Sequence, residues 1–269
     1  MQGQTFDTLI LSDVHLGSEV SRARDAVHLL ENTSYRRLIL LGDIFSDLNF
    51  RRLTGDHWKF LSCIRKLSNP KRKVEVVWVE GNHDHGLSNI MSHLVGVPVY
   101  QRYVWEYAGY RHLAVHGHQF DRFVCRNAFL SNFGERLFSF IQQMDGRNKS
   151  LSRFIDRVNT RWLRMEEQVA RGALMFAKLG RIDRVFCGHT HVSTSKFKDD
   201  VWYYNTGSWI GDRATYITVD EQGVAIREHE PRIDHHHPGE EREPEFATIT
   251  EFFEPTGLPA PAIYQSIRC

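Results

Sequence analysis

The sequence predicts an α/β fold, with helices covering a sheet in the first half and antiparallel strands dominating the second half. Two observations support this prediction. Apolar strand-like runs alternate three times with segments of helical spacing early in the chain, and short strand-like segments follow one another closely near its end. With 269 residues, the chain can bury a core in one large domain without disulfides or a structural metal.

Three strand-then-helix units are predicted in the first half. Each helical segment carries apolar residues at intervals of three or four. The strands are Thr8–Ser12, Leu38–Leu41 and Val74–Val79, and the helices follow at Glu19–Leu30, near His57–Leu67 and after His85. Repeated units of this kind are typical of a sheet with helical cover.

The second half is predicted to contain short, closely spaced strands. They are Val97–Trp105, Arg111–Val115, Val185–Cys187, Thr194–Phe197, Val201–Asn205, Ala214–Val219 and Val224–Glu228. Ala108–Gly109 and Asp220–Gly223 are turn-like and join neighbouring strands. Antiparallel pairing is therefore expected in this half.

A helical insertion is predicted at about residues 122–180, between two of these strands. Its first helix carries apolar residues at amphipathic spacing, and a second helix begins near Ser150. Residues 1–230, including the insertion, are predicted to form the main domain. The proline-rich, acidic stretch 231–269 is predicted to be an irregular tail.

Charge and cysteine content limit the possible functions. Lys plus Arg number 34 and Asp plus Glu 33, so the formal net charge of +1 gives no overall case for nucleic-acid binding. The four cysteines lie far apart, which is typical of reduced thiols in the cytosol. The polar N-terminus is unlike a signal peptide, and no apolar run is long enough to span a bilayer. We therefore expect a cytoplasmic protein that contacts the inner face of the cytoplasmic membrane only peripherally.

Residues that bind metals well follow five of the predicted strands. Because strand carboxyl ends share one edge of an α/β sheet, these residues are expected to meet. They belong to Asp13-Val14-His15, Gly42-Asp43, Gly81-Asn82-His83-Asp84, His116-Gly117-His118 and Gly188-His189-Thr190-His191. Each motif alone has an ordinary structural interpretation. Their succession after apolar runs indicates a metal site.

The ligand types indicate which metals would bind. Carboxylate, amide and imidazole ligands without cysteine favour a hard or borderline divalent ion such as Mn²⁺, Fe²⁺ or Zn²⁺. The ligands are too many for one ion but suit two ions that share a carboxylate. Two ions about 3.5 to 4 Å apart stabilise both the attacking and the leaving oxygen of a phosphoryl displacement.

This succession of motifs, from Asp13 to His191, resembles the calcineurin-like metallophosphoesterase superfamily. The resemblance implies a four-layer α/β/β/α sandwich with an inserted helical hairpin. It implies that one ion is held by Asp13, His15, Asp43 and His191, and the other by Asn82, His116 and His189, with Asp43 bridging. A metal-bridging hydroxide would attack phosphorus in line. His83, oriented by Asp84, would protonate the leaving oxygen or stabilise its charge.

Within the superfamily, the chain length, the insertion after His116 and the late segment Asn205–Trp209 are most similar to the UDP-2,3-diacylglucosamine pyrophosphatase group. This resemblance implies a nucleotide-linked lipid pyrophosphate of lipid A synthesis as substrate. It also implies two divalent ions, Mn²⁺ first among them, and a helical lid that holds acyl chains. The best-known members carry Arg at the position of His83 and Asp at that of His118, and they have a Trp that Ile44–Asn49 lacks.

Asp121, Arg153, Arg157 and Arg161 are the candidates for substrate contact. With Arg164 and Arg171, the three arginines recur by three, four or seven residues on the second helix of the insertion and share one side, while apolar residues occupy another side. This arrangement suits an anionic amphiphile. A solvated basic face on a helix that packs against the core explains it equally well.

Three other functions stay open. The clusters Arg65-Lys66 and Lys71-Arg72-Lys73 leave room for a nuclease or general phosphodiesterase, although the overall charge makes nucleic acid an unexpected partner. A phosphatase acting on nucleotides or phosphoproteins would use the same metal centre, because substrate choice depends on the insertions. A noncatalytic binding module would typically have lost ligands, whereas this chain lacks none. No obligate protein partner is indicated.

Overall fold

The computed structural model describes residues 5–47, 49–84, 86, 92–93, 95–121 and 165–230. All of them lie in a compact unit that runs from Met1 to Arg232, and the second unit, Ile233–Cys269, lies outside the described residues. The tail at 231–269 and the domain boundary before it therefore stay predictions. Most of the insertion at about 122–180 also lies outside the described residues, and only its end is described.

The described elements follow the predicted alternation, except that the helix predicted after His85 lies largely outside the described residues. In chain order the strands are β1 Thr5–Leu11, β2 Ser34–Leu41, β3 Glu75–Val79, β4 Val99–Tyr100, β5 Tyr103–Tyr107, β6 Tyr110–Ala114, β7 Arg184–Cys187, β8 Thr194–Lys198, β9 Val201–Asn205, β10 Thr215–Asp220 and β11 Gly223–Glu228. The α-helices are α1 Ala23–Asn32, α2 Gly55–Leu67 and α3 at residues 165–179, with single 3₁₀ turns at Phe50–Arg52, Pro70–Arg72 and His118–Phe120. Among the described residues, no helix is long and apolar enough to cross a membrane.

The strands form two mixed sheets. The first has the order β11-β10-β1-β2-β3-β4, in which β1 to β4 run parallel and β10 pairs antiparallel with both β1 and β11. The second has the order β5-β6-β7-β9-β8, in which β6, β7 and β9 run parallel between two antiparallel edge strands. The later strands are richer in antiparallel pairs, as predicted, although β10 and β11 extend the first sheet.

Apolar side chains place the sheets and helices in four layers. The cluster between the sheets includes Ile39 of β2 and Phe186 of β7. Outside the first sheet, Ala26 of α1 and Phe60 of α2 pack against the strands, and outside the second sheet Ala173 of α3 does so. Full burial of a large apolar side chain contributes about 1.5 to 3 kcal/mol. This layering confirms the predicted α/β/β/α sandwich.

The prediction of one strand over Val97–Trp105 is wrong. The segment splits into β4 of the first sheet and β5 of the second, so the chain passes from one sheet to the other between Tyr100 and Tyr103. The apolar run continues through this crossing because its two ends are buried in different cores. Val97 belongs to the cluster outside the first sheet, and Trp105 to the cluster between the sheets.

Candidate metal centre

The loops after five parallel strands carry the predicted ligands to the same edge of the fold. Asp13 and His15 follow β1, Asp43 follows β2, Asn82 and His83 follow β3, His116 follows β6, and His189 and His191 follow β7. Backbone hydrogen bonds join these loops. The N–H of Asp13 donates to the carbonyl of Gly42 over 3.0 Å, and the N–H of Gly188 donates to that of His116 over 2.9 Å.

Asp13, His15 and His191 form the first group of potential ligands. Nε2 of His191 lies 3.1 Å from Oδ1 of Asp13, and Nε2 of His15 lies 3.8 Å from the same oxygen. The two Nε2 atoms are 3.2 Å apart. One ligand atom from each residue lies within 4.8 Å of the other two, so a single ion can contact all three.

Asp43, His116 and His189 form the second group, which is fully buried and meets the same 4.8 Å criterion. Nε2 of His116 lies 3.2 Å from Oδ2 of Asp43. The other ring nitrogen, Nδ1, faces the carbonyl of Leu41 at 2.8 Å. A histidine held in this way by its Nδ1–H leaves the lone pair of Nε2 for a metal.

Three buried atoms of predicted ligands make no hydrogen bond of good geometry among the described residues, although two of them lie 3.1 to 3.2 Å from another predicted ligand. They are Oδ1 of Asp13, Oδ1 of Asn82 and Nε2 of His116. Burying such groups unpaired costs free energy, so each calls for an explanation. All three belong to predicted ligands, and their oxygen and nitrogen chemistry suits divalent metal ions. The residues present therefore fit a metal centre.

Electrostatics keep the two buried aspartates ionised. Burial alone would raise the pKa of Asp13, but the neighbouring imidazoles of His191 and His15 hold that pKa well below its usual range. Burial is likewise outweighed at Asp43, whose pKa is lowered chiefly by His116. Burial would lower the pKa of His116, yet the carboxylate of Asp43 raises it to about 10. A metal that binds His116 therefore displaces a proton.

Backbone strain is concentrated at the ligands. Five predicted ligands have the positive φ angles of left-handed backbone, which non-glycine residues adopt rarely and at a cost of roughly 1 to 3 kcal/mol each. They are Asp13 (φ +52°), His15 (+50°), Asp43 (+50°), His189 (+68°) and His191 (+57°). The sharp turns at His189 and His191 bring both imidazoles to one place, which an extended chain would send to opposite sides.

Two glycines make room for this arrangement. A Cβ at Gly42 would lie inside van der Waals contact of the His116 ring, and a Cβ at Gly81 would overlap the backbone nitrogen and Oδ1 of Asp43. A side chain at either position would displace a predicted ligand. Glycine is needed at position 81 only because a side chain would not fit there. Gly42 is also needed for its φ of +79°, which other residues rarely adopt.

Several side chains that the sequence did not predict as ligands support the ligand loops. The hydroxyl of Ser12 contacts Oδ2 of Asp13 and the hydroxyl of Thr206. Nδ2 of the fully buried Asn205 donates to the carbonyl of Gly188 over 2.7 Å and contacts Oγ1 of Thr190 at 3.1 Å. These residues therefore fix the turn that carries His189 and His191. The sequence signal was the segment Asn205–Trp209, whose role as a support could not be inferred from it.

A family model of the calcineurin-like phosphoesterase superfamily domain matches residues 7–223, which include every predicted metal ligand. The chain belongs to the calcineurin-like phosphoesterase superfamily. This membership confirms the predicted enzyme class, a hydrolase that acts on phosphoester bonds. No protein of curated function matches the chain.

Solved structures similar to this calcineurin-like phosphoesterase share little sequence with it. An archaeal phosphodiesterase has 16% identity and a TM-score of 0.44, with 82% of this chain and 97% of that chain covered. Yfce, a phosphoesterase from E. coli, has 16% identity and a TM-score of 0.44, with 83% and 99% covered. Vps29 from Chaetomium thermophilum has 12% identity and a TM-score of 0.43, with 84% and 100% covered. The family assignment therefore depends on the family model.

The predicted catalytic pair of this phosphoesterase is arranged differently from what the resemblance implied. Both oxygens of Asp84 accept backbone N–H groups, from Ile44 and Phe45 at 3.1 and 3.0 Å. His83 is instead held through Nδ1, which faces the carbonyl of Ser46 at 2.7 Å. Burial, with the negative charge of Asp43, raises the pKa of Asp84 to about 6. Asp84 therefore fixes the loop after β2 rather than the imidazole beside it in sequence.

Of the residues predicted to contact the substrate of this phosphoesterase, the structure describes Asp121; His118, where the best-known members of the UDP-2,3-diacylglucosamine pyrophosphatase group carry Asp, begins the 3₁₀ turn before it. Asp121 is 2% exposed, and its Oδ2 lies 3.4 Å from Nε2 of His189. The ring of His118 lies beside those of His116 and His189, with centroids 5.5 and 6.4 Å away. Outside the described residues lie Arg153, Arg157 and Arg161. Their role in substrate contact stays a prediction.

Proposed function

We propose that this protein is a two-metal phosphoesterase that cleaves a phosphodiester or pyrophosphate bond. The observation that carries the proposal is the pair of ligand groups at one edge of the fold, Asp13, His15 and His191 beside Asp43, His116 and His189. When bound there, two divalent ions would activate water and neutralise charge on phosphoryl oxygens.

The division of ligands is part of the proposal. Asp13, His15 and His191 would hold one ion, Asn82, His116 and His189 would hold the other, and Asp43 would be shared by both. The unpartnered Oδ1 of Asn82 supports its place as a ligand. Because no thiolate is present in either group, Mn²⁺ is the proposed metal, with Fe²⁺ and Zn²⁺ as alternatives of the same ligand preference.

His83 is the proposed proton donor to the leaving oxygen. Its backbone N–H donates to Oδ1 of Asp43 over 2.9 Å, and its Nδ1 faces the carbonyl of Ser46. These two contacts fix the ring with Nδ1 toward Ser46 and Nε2 on the side of Asp43. Nε2 lies 3.9 Å from Oδ2 of Asp43, which places it beside the predicted bridging ligand. General acids positioned in this way accelerate reactions by about 10²- to 10⁴-fold.

A nucleotide-linked lipid pyrophosphate of the UDP-2,3-diacylglucosamine type is the proposed substrate. The support comes from the sequence, in which the insertion at about 122–180 combines a basic side, carrying Arg157 and Arg161, with an apolar side. An anionic head and acyl chains match such a surface. We further propose a cytoplasmic location with peripheral contact on the inner membrane face, because the lipid part of this substrate resides in a membrane.

A panel of substrates tests this proposal. Turnover with Mn²⁺ is compared for UDP-2,3-diacylglucosamine, bis-p-nitrophenyl phosphate, p-nitrophenyl phosphate, a phosphopeptide and single-stranded RNA. We expect the highest kcat/KM for the lipid pyrophosphate. A preference for RNA or for the phosphopeptide would support the nuclease or phosphatase alternative, and no hydrolysis of any substrate would contradict catalysis altogether.

Variants of the insertion sharpen the substrate test. Replacing Arg157 and Arg161 with Ala is expected to raise KM for the lipid pyrophosphate while sparing the small nitrophenyl diester. Arg213→Ala is the matched control, because Arg213 is an exposed arginine outside the insertion whose ion pair is with Glu228. Equal losses on both substrates would show that the insertion acts only through folding.

A further inference from the structure

Asp121 occupies a buried position beside the second ligand group. It follows the 3₁₀ turn His118–Phe120, is 2% exposed, and its Oδ2 lies 3.4 Å from Nε2 of His189. Asp121 is thus as buried as the predicted ligands Asp13 and Asp43, and its predicted direct contact with substrate stays a prediction. Asp121 is also not among the residues that share the 4.8 Å ligand distances of the second group.

The geometry assigns Asp121 as a positioning residue for His189, holding the imidazole proton on Nε2 and directing Nδ1 toward the second metal. An ionised carboxylate only accepts hydrogen bonds, so the nitrogen that faces it carries the proton. The other ring nitrogen then keeps its lone pair for a metal. This assignment rests on the proposed two-metal function.

The two histidines of the group are held in opposite ways. His116 faces the carbonyl of Leu41 through Nδ1 and presents Nε2 to Asp43. His189 faces Asp121 through Nε2 and so presents Nδ1. A carbonyl and a carboxylate from different loops thus select a different tautomer at each ligand. Partners of this kind typically change metal affinity by about 10- to 100-fold when they are removed.

The described end of the insertion fixes the segment that carries Asp121. Nε2 of Gln168 in α3 donates to the carbonyl of Phe120 over 3.3 Å. A Cβ at Gly172 would lie 2.7 Å from that of Phe120, so the absence of a side chain there lets the turn pack directly on the helix. The helix α3 therefore sets the position of Asp121 relative to His189.

Isothermal titration calorimetry of the metal-depleted full chain with Mn²⁺ tests the assignment. The wild-type chain is expected to bind two ions. Asp121→Asn is expected to weaken one of them by about 10- to 100-fold and to leave the other unchanged. Asp199→Asn is the matched control: it makes the same change at an exposed aspartate that pairs with Lys178, and it should behave as wild type.

The outcomes separate this assignment from the proposed function. Fewer than two ions in the wild-type chain would refute the two-metal function. Two ions in wild type with unchanged affinities in Asp121→Asn, or with equal weakening of both, would refute only the role of Asp121.

A second measurement does not depend on the folding of a variant. The wild-type chain, labelled with ¹⁵N-histidine and loaded with Zn²⁺, reports the protonated nitrogen of His189 by NMR, with the resonance identified by its loss in His189→Gln. A proton on Nε2 supports the assignment, and a proton on Nδ1 overturns it.

Discussion

The backbone N–H of His189 donates a hydrogen bond to Oδ2 of Asp13 over 3.1 Å, joining two residues 176 positions apart. Gly188 makes this approach possible, because a Cβ there would lie 2.5 Å from the same carboxylate oxygen. The first and last ligand loops are therefore one unit, in which Asp13 both holds the turn after β7 and offers its other oxygen to a metal.

Gly81→Ala is expected to lower kcat by about 100-fold, because the new Cβ would displace the carboxylate of Asp43, and displacements of about 1 Å at an active site have effects of this size. The measurement is Mn²⁺-dependent turnover of bis-p-nitrophenyl phosphate. Gly55→Ala, at the start of α2 with open space around it, is the control and should keep full activity. Full activity in Gly81→Ala would show that Asp43 tolerates the shift.

His83→Asn is expected to slow an alkyl phosphodiester by about 10²- to 10⁴-fold and a nitrophenyl diester far less, since a nitrophenolate leaves without protonation. The measurement compares kcat for the two substrates. His93→Asn, at an exposed histidine, is the control and should leave both rates unchanged. Equal losses on both substrates in His83→Asn would contradict a role as proton donor.

Mn²⁺ is expected to stabilise the fold by neutralising its buried carboxylates. At a free concentration of about 100 times Kd, each bound ion adds about 2.7 kcal/mol to the free energy of unfolding. Thermal unfolding in Mn²⁺ is compared with unfolding in chelator, for wild type and for His191→Ala. The variant should show about half of the wild-type gain, and an equal gain in both proteins would contradict the place of His191 as a ligand.

His112 is expected to make stability fall in mild acid. Burial, with Arg184 nearby, lowers its pKa to about 4 from the ordinary value of 6.5. Between pH 6.5 and pH 4 the unfolded chain binds a proton at this histidine that the folded chain does not. The free energy of unfolding therefore falls as pH falls, by about 3 kcal/mol in total.

The variant His112→Phe isolates this effect. It keeps an aromatic ring beside Trp105 and Phe186, and it should lose less stability than wild type between pH 6.5 and pH 4. Urea unfolding in chelator at several pH values measures the difference. Identical pH slopes for the two proteins would show that His112 takes up its proton in the folded state.

Much of the candidate site could be predicted from the sequence, because strand order alone brings its residues together. Ligand-type residues follow apolar strands at Asp13, Asp43 and His189, and parallel strands end at one edge. The supporting residues could not be predicted in this way. Ser12 and Thr206 contact each other across 194 positions, and small polar residues of their kind are also common in ordinary turns.

Two other differences between the prediction from sequence and the structure have local causes. The resemblance implied that Asp84 orients His83, but neighbouring side chains point in different directions and Asp84 instead accepts the backbone N–H groups of Ile44 and Phe45. The crossing between sheets within Val97–Trp105 could not be predicted from its apolar residues. Apolar spacing indicates that a residue is buried, but not in which of the two cores it is buried.

The central claim is that two metal ions occupy the edge of the fold where these loops meet. The most direct measurement is an anomalous difference map from crystals of the full chain soaked in Mn²⁺. We predict two peaks about 3.5 to 4 Å apart, with Asp43 between them. A single peak, no peak, or peaks away from Asp13 and His116 would contradict the claim.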